Sequence, residues 1–95
     1  MLFVITAFDR PGALELRMKA RPAHLSYLED RATQVRIGGP LLNENDQPMG
    51  SLLIIEAADR AAAEAFAAGD PYRREGVFEK VEIRPWRAAL GGWIT

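Results

Sequence analysis

Two short segments, residues 2–8 and 52–55, place apolar side chains at both odd and even positions. Side chains alternate between the two faces of a strand, so runs of this kind demand cover on both faces. A chain of 95 residues has too little material for a second hydrophobic core and is read as one domain over residues 1–95. One face must then be covered by the chain's own helices. The other is left for a second molecule.

The first run contains one polar residue, Thr6, and ends at Asp9-Arg10-Pro11-Gly12, a turn signal. A helix is predicted over residues 13–33, with Leu14, Met18, Leu25, Leu28 and Ala32 forming one apolar stripe. Pro22 removes an amide donor inside it, which predicts a kink or a fresh helix start near Arg21 and Pro22. Residues 34–42 form a second strand, weakened by Gly38-Gly39-Pro40, and the polar cluster 43–48 is a hairpin loop. The third strand covers residues 49–57. Asp59 is an N-cap for an alanine-rich helix over 61–68, which Gly69 stops. Residues 70–76 are a compact connector with room for one helical turn. Residues 77–86 alternate Val81 and Ile83 with Lys80, Glu82 and Arg84, the pattern of a fourth strand, and residues 88–95 form a C-terminal tail.

This order, βαββαβ, predicts an α+β fold of ferredoxin-like type: a four-stranded antiparallel sheet with two helices on one face. The helix-free face stays apolar, which marks an interface. Two such sheets packed face to face would make a homodimer.

Composition excludes several functions. Twelve Lys and Arg against thirteen Asp and Glu give a formal charge of -1, with no global attraction to nucleic acid or a membrane surface. Cysteine is absent, which removes disulfides, thiolate metal sites and cysteine nucleophiles. No apolar run approaches the roughly 18 residues that span a bilayer. The start lacks a basic leader, so the expected compartment is the cytoplasm. Neither GxGxxG nor GxxxxGK[ST] occurs, and one histidine without cysteine offers no transition-metal set, so no cofactor or metal is expected.

His24 is the only histidine. It reads either as a residue on a helix flank bonded to a neighbour or, turned by the disturbance at Pro22, as an acid/base group facing a pocket. Asp70, before Pro71, reads either as a turn former or as a carboxylate that orients an imidazole. Both helices lie on one sheet face in the expected fold, so His24 and Asp70 can meet. Gly39 and Pro40 lie where a ligand can approach the backbone closely. Ser51 across the hairpin and Tyr72 beside Asp70 are candidate ligand contacts, with turn and core roles as their alternatives.

Several segments together resemble the YciI-like family, or YCII-related domain. They are Leu2-Phe3-Val4-Ile5, Arg21-Pro22-Ala23-His24-Leu25-Ser26-Tyr27-Leu28, Gly38-Gly39-Pro40-Leu41, Gly50-Ser51, Ala68-Gly69-Asp70-Pro71-Tyr72, Gly76-Val77-Phe78 and the stretch from Val81 to Trp86. The resemblance reaches about Arg87. It implies dimers similar to the dimeric α/β barrels of muconolactone isomerase type. It also implies a histidine–aspartate active pair, which falls on His24 and Asp70, with Arg21 beside them as a substrate contact. At least one relative in the family is a dehydrochlorinase acting on a chlorinated hydroxyquinol. The loop between Pro40 and Gly50 is shorter than in relatives with long insertions there.

Three functions are therefore expected in competition. One is a small dimeric enzyme using a His-Asp acid/base pair for elimination or isomerisation of a small cyclic or carbonyl-bearing metabolite. The second is a non-catalytic small-molecule binding or accessory protein using the same pocket. The third is a domain that only mediates assembly.

Overall fold

The computed structural model describes residues 1–94. β1 (Leu2–Asp9), α1 (Leu14–Glu29), β2 (Val35–Leu42), β3 (Pro48–Glu56), α2 (Arg60–Gly69), α3 (Pro71–Arg74) and β4 (Phe78–Trp86) follow in chain order. The four strands form one antiparallel sheet in the order β2-β3-β1-β4. With the helices, this is the ferredoxin-like α+β arrangement. The expected tail holds a single 3-10 turn at Gly92–Ile94; Thr95 lies outside the described residues.

Strand parity separates the sheet into two faces. Phe3, Ile5 and Ala7 on β1 pair with Ile55, Leu53 and Ser51 on β3, and all six are buried. With Ala63 and Phe66 of α2, the apolar members Phe3, Ile5, Leu53 and Ile55 form the main core. Burying a side chain of this size contributes about 1.5–3 kcal/mol. The opposite parity carries Leu2, Val4, Phe8, Leu52 and Ile54, all half-buried, with Ile37 and Trp86 exposed. That face holds no helix, so the second greasy face read from the sequence is a property of the folded chain.

The stripe expected on α1 is corrected. The residues turned inward are Arg17, Ala20 and His24, continuing from buried Ala13. Met18 and Leu25 are exposed, Leu14 and Leu28 are half-buried, and Ala32 lies beyond the helix in a turn. No fresh helix starts at Pro22; it sits inside one continuous helix. Pro22 is on the exposed side, where its ring and the Met18 carbonyl it leaves unpaired have room and water.

α2 starts as its sequence indicates, with the Asp59 side chain accepting from the Ala62 amide at 2.9 Å. It ends where Asp70, before Pro71, leaves the helical range at ψ 125°. Gly69 is the last helical residue and has no left-handed φ. Its missing side chain instead makes room for Tyr27 of α1, whose ring occupies the space a Cβ would need. Tyr27 then donates to the Phe66 carbonyl at 2.8 Å, which fixes α1 against α2 immediately before Asp70.

Candidate functional site

α3 is only four residues long, and its start is determined by Asp70. Oδ1 of Asp70 accepts from the Tyr72 amide at 2.9 Å, while Pro71 occupies the first helical position. The same Oδ1 lies 2.8 Å from Nδ1 of His24 on α1. One carboxylate oxygen thus both caps α3 and contacts the imidazole, so the two readings of Asp70 are not exclusive. Both side chains are buried, at 9% and 4% exposure. A carboxylate partner on Nδ1 makes Nδ1 the donor and leaves Nε2 as the free ring nitrogen.

Tyr72 sets the other boundary. Its ring stacks on His24 with centroids 3.9 Å apart and planes 15° apart, and the Arg17 guanidinium lies 4.4 Å from its centroid. Positions 17 and 24 are two turns apart on α1, about 10 Å along its axis. Ala20 between them is small, and it packs with Tyr72 in a second apolar cluster. Burial pushes the Tyr72 phenol above its ordinary value, the opposing pull of the arginines being smaller. It is therefore a neutral donor at physiological pH.

Arg17 was missed in the sequence. It is 4% exposed and belongs to a second polar chain beside His24 and Asp70. Nη1 donates to both oxygens of Asp9, at 2.9 and 3.1 Å, and Nη2 donates to Ser51 Oγ at 2.7 Å. Burial raises the Asp9 carboxyl above its ordinary value, and Arg17 opposes the rise. The signal that could have located Arg17 is its spacing of seven from His24, which puts both on one helix face.

These groups meet at a cavity of about 490 Å³ between α1 and the β2–β3 edge of the sheet. Its lining includes His24, Arg21, Gly39, Pro40, Ser51 and Tyr72. The structure thus gathers all six at one hollow, with Asp70 behind His24. Arg17 and Gly38 also line it, and Leu25, Leu28, Val35 and Leu53 supply apolar wall. Gly38 has a steric reason to be glycine, since a Cβ there would meet Leu53; at Gly39 the same space is open. A slightly larger hollow of about 530 Å³ lies between α2 and β4. Its charged lining, Arg60, Glu64 and Arg73, is exposed, and the first two are paired with each other. Among the described residues no group of three or more His, Asp or Glu side chains converges to hold a metal, and no helix is long and apolar enough to cross a membrane.

Comparisons with known proteins agree with this architecture. Protein YciI of Escherichia coli O6:H1 is 38% identical over 95 residues, covering 92% of this chain and 97% of the relative. An uncharacterized protein of Haemophilus influenzae is 34% identical over the same shares. Among solved structures, the 5-chloro-2-hydroxyhydroquinone dehydrochlorinase of Burkholderia phenoliruptrix AC1100, in complex with 2,5-dihydroxybenzoquinone, superimposes with a TM-score of 0.87 at 34% identity. That match covers 94% of this chain and 96% of the other. Residues 1–87 match the YCII-related domain, and with these relatives the chain belongs to the YCII-related family.

Proposed function

We propose that this protein is a small homodimeric enzyme in which His24, oriented by Asp70, moves a proton on a small cyclic or carbonyl-bearing metabolite. The reaction is an elimination or an isomerisation. The observation that carries this reading is the 2.8 Å contact between His24 Nδ1 and Asp70 Oδ1 at the wall of the cavity. With Nδ1 engaged, Nε2 is the nitrogen available to take a proton from a ligand and return it. Asp70 holds one ring orientation and stabilises the imidazolium formed in passing. Tyr72, Ser51 and Arg21 are substrate contacts, and Gly39 and Pro40 give the ligand a flat backbone edge. A dehydrochlorination, the activity named for the similar Burkholderia protein, removes a proton and a chloride and needs no oxidant. An acid/base group with hydrogen-bond donors nearby can serve it. Turnover of a panel of chlorinated hydroxyquinols and lactones tests the reading, and ligand binding without turnover by the wild-type chain would replace it with the non-catalytic alternative.

The dimer in this proposal uses the helix-free face of the sheet. Val4, Leu52 and Ile54 lie at its middle and are only half-buried in the single chain. Sedimentation equilibrium at tens of micromolar is expected to give a dimer for the wild type and a monomer for Leu52→Glu. A monomeric wild type would contradict the proposed interface.

A further inference from the structure

We propose that the Asp9–Arg17–Ser51 chain is an oxyanion reader: Ser51 donates its hydroxyl hydrogen to an ionised oxygen of the ligand, and Arg17 is the positioning residue that aims it. This rests on the cavity being a ligand site, as proposed above, but not on His24 performing chemistry.

The direction of the hydrogen bonds carries the argument. A guanidinium has donors only. The 2.7 Å contact from Arg17 Nη2 therefore makes Ser51 Oγ an acceptor, and the serine hydrogen must point elsewhere. Among the described residues nothing accepts it. Ser51 is 5% exposed, so this is a buried donor on the wall of a hollow. On the wall of that hollow the hydrogen is available to a ligand oxygen that takes the place of water. Donation from a cation also polarises the hydroxyl and makes it a stronger donor to negative charge.

Charge placement points the same way. Arg17 and Arg21 line the cavity, and no carboxylate does. The two nearby acids stand behind their partners: Asp9 is bound by both oxygens to Arg17, and Asp70 is bound to His24 and the Tyr72 amide. The cavity therefore selects small organic anions, such as phenolates and enolates, over neutral molecules of the same shape.

Isothermal titration at neutral pH with two probes tests this. 2,5-Dihydroxybenzoquinone is ionised there and hydroquinone is neutral. Wild type is expected to prefer the ionised probe. Ser51→Ala keeps the Asp9–Arg17 pair and is expected to weaken that probe about 10- to 100-fold, the loss of one hydrogen bond to a charged group, while hydroquinone affinity stays within about twofold. Arg17→Lys, which can still neutralise Asp9, should lose the same selectivity, and adding it to Ser51→Ala should cost nothing further, because Arg17 acts through Ser51. A wild type without preference for the anion, a Ser51→Ala chain that binds both probes as wild type does, or additive losses in the double variant would each overturn the proposal. None of these results depends on turnover, so the His24 reading stands or falls separately.

Discussion

Replacing His24 with glutamine is expected to slow turnover of whichever panel compound the wild type converts by roughly 10²–10⁴-fold, the usual worth of a positioned acid/base group. Glutamine keeps a polar group able to hydrogen-bond with Asp70 but cannot carry a proton between ligand and solvent. Asp70→Asn is expected to fall in the same direction by less. The imidazole survives there, but the group that fixes its donor nitrogen is changed. Asp70 also accepts from the Tyr72 amide, so the asparagine variant retains an acceptor for the start of α3. Steady-state rates, with circular dichroism to establish folding, measure both. An unchanged rate in His24→Gln would end the acid/base reading.

The second large effect is on stability. Arg17→Met is expected to destabilise the fold by about 3–5 kcal/mol at neutral pH, because it leaves a buried carboxylate without its cation. Asp9 has a side-chain exposure of 6%, and among the described residues its side chain is bonded only to Arg17. The pH dependence has a definite sign. Burial already raises the Asp9 carboxyl in the folded chain above 3.8. Above that value the unfolded chain loses its proton first, so the contribution of this group to stability declines as pH rises through the folded value. Removing Arg17 takes away the opposing pull and widens that window. The variant should therefore recover stability at acid pH relative to wild type, and Asp9→Asn combined with Arg17→Met should recover part of it at neutral pH. Urea unfolding followed by circular dichroism gives these differences. A loss below about 1 kcal/mol would mean that the pair is solvated in the folded protein.

What the sequence revealed and what it concealed follow from one physical distinction. The sheet was legible from two signals: β1 is a short run of β-forming residues, apolar at both parities and closed by a turn signal, and β4 alternates Val81 and Ile83 with Lys80, Glu82 and Arg84. The inward face of α1 was not legible from apolar periodicity, because it is polar and small: Arg17, Ala20 and His24. Hydropathy points to Met18 and Leu25, which the structure exposes. A helix face lining a polar cavity is the place where burial and hydropathy part, since a buried charge is tolerated when a partner such as Asp9 is supplied from another element. His24 and Asp70 could be named from their chemistry and the family resemblance. Arg17 showed only by its spacing of seven from His24, and Asp9 not at all, because their pairing exists only when β1, α1 and β3 are packed together. Gly69 shows the same limit, its cause being the ring of Tyr27 rather than a local turn.

In the proposed enzyme Asp70 fixes the donor nitrogen of His24 and leaves the other facing a ligand. His24 is the only histidine in the chain, so protein labelled with ¹⁵N in histidine gives one imidazole spin system. The neutral ring is expected to carry its hydrogen on Nδ1, with a bare Nε2 whose resonance moves when 2,5-dihydroxybenzoquinone is added. A neutral ring carrying its hydrogen on Nε2, or one whose Nε2 signal is indifferent to a ligand that binds, would contradict it.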